Sequence, residues 1–264
     1  MNLKLDDKTA LVTGSTAGIG YAIALGLARD GARVIVNGRT QARVDSSLAS
    51  IRQQVPQAKL EGVALDLGAA AGCEALIRRI PQLDILVNNL GVFEPKPFEQ
   101  IPDADWQRLF EVNVMSGVRL SRAYLPGMKQ RNWGRIVFIS SESAVQIPAE
   151  MVHYGMTKTA QIALARGIAE TCAGTAVTVN SVLAGPTASE GVINFVAALA
   201  KEQGTTPQEF EKQFFRDVRP TSLLKRFIQP EEVAAVVVFA CSPEASAING
   251  AALRADGGVV KAAL

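Results

Sequence analysis

Tyr154 and Lys158 stand four residues apart in the stretch "HYGMTK", inside a run whose apolar periodicity predicts a helix over about 151–172. Positions i and i+4 share one face of a helix, so a phenol and an ammonium would lie side by side. A free phenol titrates near pKa ~10, too high for proton exchange at neutral pH, and a cation within ~4–6 Å favours its ionised form. At ~4 Å and an effective dielectric of ~20 the Coulomb attraction is roughly 4 kcal/mol, against about 1.4 kcal/mol per pKa unit. The pair is therefore expected to lower the phenol's value by a unit or more, the direction that general acid-base catalysis requires. A tyrosine and a lysine at this spacing are common by chance, so their meaning depends on what surrounds them.

Other routes to chemistry are poorly supplied. His153 is the single histidine, which leaves a His-based metal site or a Ser-His-Asp triad little to draw on. It is rotated about 100° round the helix from Tyr154 and is expected to pack or to sit at an interface. Cys73, Cys172 and Cys241 are scattered and lack CxxC spacing, so neither a disulfide framework nor a zinc site is indicated. No metal is expected.

A second motif lies far upstream. "TGSTAGIG" occupies residues 13–20, directly after an apolar run and directly before a helical pattern. Gly14 permits a tight turn, Gly18 lets the backbone approach a pyrophosphate, and Gly20 lets the helix pack close to the strand. The free N–H groups of the helix N-terminus would then face the phosphates. Glycine spacing alone is weak evidence, but strand, loop and helix occur here in the required order.

The elements that must position these groups alternate along the chain. Short apolar runs near 9–14, 33–38, 60–67, 84–89, 135–140, 177–182 and 250–258 read as strands. Most are nearly continuous rather than alternating, as in strands covered on both faces of a parallel sheet. Helical patterns at about 18–29, 40–54, 70–80, 103–112, 114–130, 151–172 and 230–241 fall between them. The expected fold is α/β: one doubly wound Rossmann domain over residues 1–264, with seven mostly parallel strands and helices on both faces. A segment at about 187–226 follows the sixth strand and reads as an inserted helical lid over the ligand end of the sheet. Phe195, Val196, Leu199, Phe210, Phe214 and Phe215 give it an apolar character, which fits a partly apolar substrate or packing against the body of the domain.

Composition narrows the partners. A formal net charge of +2, with acids and bases interspersed, gives no electrostatic footprint for nucleic acid or for an anionic membrane. No apolar run approaches the roughly 18 residues of a membrane span and the N-terminus has no signal-peptide pattern, so a cytoplasmic protein is expected.

The glycine loop is spaced GxxxGxG, and together with other motifs it resembles the short-chain dehydrogenase/reductase family. The residues carrying the resemblance are "TGSTAGIG", the Asp66-Leu67 pair, "NNLG" at 88–91, Asn113, "SS" at 140–141, Tyr154 with Lys158, and "NSVLAGPTAS" at 180–189. Beta-ketoacyl-acyl-carrier-protein reductases are the nearest functional neighbours that it implies. The implied activity is hydride transfer between a nicotinamide cofactor and a carbonyl or secondary alcohol, with Tyr154 exchanging the proton. Ser141 would hydrogen-bond the substrate oxygen while Ser140 points elsewhere, and Asn113 would anchor a water chain from Lys158 to solvent. Tyr154 and Lys158 would also touch the cofactor, whose pyrophosphate would rest on Gly14, Ser15, Thr16, Gly18, Ile19 and Gly20. Asp66 would hold the adenine amino group and Leu67 its ring edge, Asn89 and Gly91 the adenine ribose, and Thr187, after Gly185, the nicotinamide carboxamide.

Where NAD-using relatives carry an acid at the end of the second strand, this chain has Gly38 followed by Arg39. A guanidinium can grip a phosphate bidentately, so NADP(H) is the expected cofactor. NAD stays open, because Ala17 stands where many NADP-using relatives place a base. Leu90 replaces the small residue of the usual "NNAG" and could crowd the cofactor, and Ala184 replaces a proline. The resemblance further implies a homotetramer packed through the helices at 114–130 and 151–172, with the C-terminal "VVKAAL" a candidate to join it. Arg216, Arg219, Lys225 and Arg226 could offer a basic patch to an acyl-carrier partner, or form an ordinary solvated face. The competing readings are a cofactor-binding sensor or scaffold without chemistry, and a dehydratase or epimerase on the same fold.

Overall fold

Seven apolar runs become strands in a computed structural model that describes residues 3–193, 196–197 and 205–263. They are β1 (Thr9–Val12), β2 (Arg33–Gly38), β3 (Leu60–Ala64), β4 (Ile85–Asn88), β5 (Gly134–Ser141), β6 (Val177–Ala184) and β7 (Ala252–Ala255). They pair only in parallel, in the order β3-β2-β1-β4-β5-β6-β7. The order reverses between β1 and β4, and at such a switch point the loops on the two carboxyl ends diverge and leave a crevice. The glycine loop leaves β1 there, and "NNLG" leaves β4.

Successive side chains of a strand point to opposite faces, and the core follows that rule. Ala10 and Val12, Val34 and Val36, Ile85 and Val87 pack on one face, against α1 (Gly18–Arg29), α2 (Gln41–Gln54) and α8 (Pro230–Ala240). Leu11, Ile35 and Leu86 pack on the other, against α3 (Ala70–Arg79), α5 (Ser116–Gln130) and α6 (Val152–Glu170). The strand residues are buried from both sides, which is why the runs carry no polar alternation.

The structure departs from the expected helix boundaries at one place that matters. The patterns at 103–112 and 114–130 are not separate helices: α4 (Asp103–Phe110) runs into α5 through a π turn at Glu111–Met115. No proline or glycine lies between Phe110 and Ser116 to interrupt the backbone hydrogen bonds. The chain instead takes one wider turn, and Asn113 sits in it, buried. Such single-turn insertions are frequent at functional sites.

After β6 the described part of the segment read as a lid continues from Thr187. Thr187 forms an isolated parallel bridge with Ile228. The helix α7 (Pro207–Asp217) opens with a capping box between Thr206 and Glu209. Val196, Phe215 and Phe227 form a small core of their own, against which Phe210 and Phe214 pack. Phe195 and Leu199, expected in the same apolar face, lie outside the described residues. No helix among the described residues is long and apolar enough to cross a membrane.

Candidate active site

The glycine loop is shaped from behind by a buried amide. Gly14 and Gly18 adopt φ of +61° and +56°, which side-chain-bearing residues rarely reach. The Asn37 carboxamide oxygen, from β2, accepts from the Gly14 N–H at 3.0 Å, and its nitrogen donates to the carbonyls of Val63 (3.2 Å) and Leu65 (3.0 Å). Ser15 closes the other side, its N–H donating to the Asn37 carbonyl at 2.8 Å and its hydroxyl accepting from the Asn37 N–H at 2.9 Å. Asn89 braces the loop from β4, its side chain donating to the carbonyls of Thr13 (2.9 Å) and Gly14 (3.1 Å). A Cβ on Gly20 would fall 2.4 Å from the Asn89 nitrogen and 2.5 Å from the Gly14 carbonyl, so glycine is required there for α1 to approach the loop. Ala17, the N-cap of α1, offers no side chain to the first N–H groups of the helix, which leaves them for an anion. This backbone cradle fits a pyrophosphate.

The other cofactor positions divide. Arg39 is exposed and has no partner among the described residues. A Cβ on Gly38 would lie 2.4 Å from the Thr16 methyl, so the place where an acid would bind a ribose is filled by Thr16. Asp66 is exposed and accepts from the Gly68 N–H at 3.0 Å. Leu67 is 1% exposed and belongs to the core below the sheet, so only its backbone can meet an adenine ring, not its side chain. Leu90 also turns into that core, while its N–H donates to the Thr13 hydroxyl at 2.9 Å. Its side chain lies against the glycine loop, 3.5 Å from where a Cβ on Gly14 would sit. Gly185 follows β6 so closely beside β7 that a Cβ would lie 2.5 Å from the Asp256 carbonyl. Thr187 is buried, with its hydroxyl donating to the Gly185 carbonyl at 2.8 Å.

Above these elements a cleft of about 440 Å³ opens. It is bordered on the cofactor side by Ile19, Asn89, Gly91, Gly185 and Thr187, and at its floor by Ser141, Tyr154 and Lys158. Tyr154 and Lys158 come from adjacent turns of α6, and the ammonium lies 5.6 Å from the phenol ring centroid. Lys158 is buried: its Nζ donates to the Ile139 carbonyl at 2.8 Å and to the Gln161 carboxamide at 3.3 Å. Gln161 in turn donates to the Asn113 carbonyl at 2.6 Å. The Asn113 side chain accepts from the Val92 N–H at 2.8 Å and donates to the Val92 carbonyl and to the Thr157 hydroxyl. Gly91 is exposed, and a Cβ there would lie 3.3 Å from Lys158 Nζ and 3.5 Å from Asn113 Oδ1. Its missing side chain leaves an opening from the lysine towards solvent. Ser140, as expected, turns away and donates to the Lys158 carbonyl at 2.8 Å.

The electrostatics differ from the expectation. Burial holds the Tyr154 hydroxyl well above the usual phenol value, the Glu142 carboxylate adds to this, and a hydrogen bond with Ser141 and the Arg219 charge work the other way. Burial also pulls the Lys158 ammonium down to about 8. The spacing placed a cation beside a phenol correctly, but it carried no information on how far both groups are removed from water. Desolvation wins, and the phenol is held as an acid.

Residues 8–200 match the pattern of the short chain dehydrogenase family. The chain belongs to the short-chain dehydrogenases. It is 51% identical over 261 residues to the uncharacterized oxidoreductase YvaG of Bacillus subtilis (strain 168), covering 99% of both chains. It is 34% identical over 263 residues to the 3-oxoacyl-acyl-carrier-protein reductase FabG of Aquifex aeolicus (strain VF5), covering 98% of this chain and 100% of that one. Among solved structures, L-sorbose reductase from Gluconobacter frateurii, complexed with NADPH and L-sorbose, superposes with a TM-score of 0.93 at 31% identity, covering 99% of this chain and 100% of that chain. As a short-chain dehydrogenase the chain is an NAD(P)-dependent oxidoreductase acting on alcohol or carbonyl groups.

Within this short-chain dehydrogenase, several residues at the site were not foreseen. Asn37 reads as one more strand residue until its contacts with 14, 63 and 65 are known. Gln161 reads as a surface position of a long helix. Glu142 and Arg219 are 77 residues apart in sequence, yet the Arg219 Nε–H donates to the Glu142 carboxylate at 2.9 Å beside Ser141. The other residues expected to form a basic patch also make contacts: Arg216 pairs with Asp217 and Arg226 with Glu232, each at 2.8 Å, and Lys225 donates to the Pro220 carbonyl at 2.7 Å. Of the four, only Lys225 has no carboxylate partner among the described residues. His153 is fully buried and meets Trp106 edge-on at 5.7 Å, a packing role.

Proposed function

We propose that this short-chain dehydrogenase interconverts a ketone and its secondary alcohol with NADP(H), with Tyr154 as the proton donor in reduction. The observation that carries the reading is the convergence of Tyr154, Ser141 and Lys158 on one cleft whose opposite border is the glycine-loop side. NADP(H) is favoured because Arg39 is free at the end of β2 and no carboxylate stands beside it. The solved L-sorbose reductase with NADPH supports the same choice.

The cofactor, when bound, supplies or accepts the hydride. The protein's own groups do the rest. Gly14 to Gly20 and the α1 N-terminus would hold the pyrophosphate, and the Thr187 side would hold the carboxamide end. Tyr154, kept protonated by burial, donates to the alkoxide that develops on the substrate oxygen. Ser141 positions that oxygen. Lys158, held by Ile139 and Gln161 and facing the opening past Gly91, restores the proton from solvent. Without such a path the phenol would give its proton once.

The test follows NADPH absorbance with a broad panel of ketones, ketoesters and quinones, in the parent and in Tyr154→Phe. The phenylalanine variant should retain NADPH affinity and lose roughly 10²–10⁴-fold in turnover. Equal turnover by both proteins rejects the assignment. A protein that binds NADPH but consumes it with no member of the panel is a sensor, and one that changes a substrate without net cofactor oxidation is a dehydratase or epimerase.

A further inference from the structure

The cleft has a polar corner that the proposed proton transfer does not use. Glu142 and Arg219 are 4% and 8% exposed, and both border the cleft together with Glu150. The Glu142 carboxylate accepts from the Ser141 hydroxyl, from the Ser143 N–H at 2.8 Å and from the Arg219 Nε–H at 2.9 Å. Arg219 Nη1 donates to Glu150 at 3.3 Å and to the Val218 carbonyl at 3.0 Å. A guanidinium has five N–H donors and a carboxylate about four acceptor sites. The two donors on Arg219 Nη2 therefore have no partner among the described residues, and one acceptor site of Glu142 stays open.

The charges fix what such a corner can hold. One guanidinium lies between two carboxylates, so the cluster carries a net negative charge, and the nearby Lys158 is committed to Ile139 and Gln161. A substrate carboxylate could reach the Nη2 donors only beside two like charges that already outnumber the guanidinium. An ammonium could donate to the carboxylates but could not accept from Arg219. A hydroxyl does both, donating to Glu142 and accepting from Nη2 without adding charge. The rest of the wall is apolar, formed by Val92, Phe93, Met151, Val192 and Phe214 among others.

We propose that Glu142, Arg219 and Glu150 form the polar anchor of the substrate cleft, selecting a neutral ketone with an apolar body and a hydroxyl substituent. The inference rests on the carbonyl-reductase reading above. Ketoacids are rejected by the same cluster.

Three aryl ketones matched in size, carrying a hydroxyl, a methyl or a carboxylate on the β carbon, test it with the full chain and NADPH. The hydroxyketone should exceed the methyl ketone in kcat/KM by about tenfold or more, since hydrogen bonds to charged partners are lost in the latter. The carboxylate should be the poorest of the three. Glu142→Gln should narrow the hydroxyl preference and raise the carboxylate. Glu150→Gln, at a half-exposed side chain, should raise the carboxylate several-fold relative to the methyl ketone, which keeps the test open should Glu142→Gln fail to fold. Tyr154-dependent reduction of the methyl ketone, with the hydroxyketone within twofold of it or the carboxylate preferred, overturns the anchor alone. Absence of NADPH consumption with any carbonyl compound overturns the reductase reading, and the anchor with it.

Discussion

Arg39 offers the sharpest test of the cofactor assignment. It is exposed, next to Gly38 and without a partner among the described residues, so it is available to meet an anion at the end of β2. A hydrogen bond to a charged group contributes about 1.5–3 kcal/mol, and solvent screening at an exposed side chain places Arg39 near the lower figure. About 1.5 kcal/mol is roughly a tenfold change in Kd. Arg39→Ala should therefore weaken NADPH about tenfold in a fluorescence titration and leave NADH nearly unchanged, with no substrate needed. The converse change is blocked by packing. Gly38→Asp would drive its Cβ to within 2.4 Å of the Thr16 methyl, so the single substitution should bind both cofactors poorly. Adding Thr16→Ala removes the obstruction and should restore NADH binding in preference to NADPH. A parent protein that prefers NADH, or an Arg39→Ala protein within twofold of the parent for NADPH, refutes the reasoning.

Other outcomes follow from the same geometry. With the Lys158 ammonium held at about 8 by burial, its charge is complete below that value and is lost as pH rises through it, so kcat/KM for ketone reduction should fall above about pH 8; a profile flat to pH ~10 would show that the charge is not needed. Asn37→Ala strips partners from three backbone groups behind the glycine loop and should destabilise the fold by about 2–4 kcal/mol in urea unfolding, with weaker NADPH binding; a change within ~0.5 kcal/mol would contradict the bracing role. Assembly as a homotetramer through α5 and α6 predicts four times the chain mass in size-exclusion with light scattering, and a stable monomer would refute it.

The parts of the site that could be read from the sequence are those carried by local order. Strands buried on both faces leave continuous apolar runs, so the parallel sheet was legible. Tyr154 and Lys158 are related by helix periodicity, and Gly14, Gly18 and Gly20 by the demands of one tight turn. What could not be read depends on contacts between distant segments or on burial. Asn37 needs β1 and β3 in place before its amide has partners. Arg219 meets Glu142 only when the lid returns across the cleft. The π turn at Asn113 interrupts the 3.6-residue pattern by one residue, which reads as a helix boundary. The last strand, expected over 250–258, pairs only through Ala252–Ala255 because Gly257 and Gly258 leave the sheet at positive φ.

The overturned electrostatic expectation changes the part given to the lysine. Were the phenol readily ionised, Lys158 would act chiefly by stabilising a phenolate. The structure instead keeps the phenol neutral, through burial and through a carboxylate that the Ser141 hydroxyl contacts. A neutral phenol is the form that gives a proton to a developing alkoxide, so the resting protonation state suits reduction of a ketone. Oxidation of an alcohol needs the phenolate, and the groups that favour it here are Arg219 and the Ser141 hydrogen bond, opposed by burial and by Glu142. In the proposed reaction Lys158 then serves as a relay: a buried amine near 8 gives up and regains a proton close to neutral pH far more easily than an exposed one near 10.5. The opening past Gly91 gives that exchange somewhere to go. On this view Glu142 disfavours the phenolate while it holds Arg219 in the cleft, which ties the protonation of Tyr154 to the polar corner that the substrate must fill.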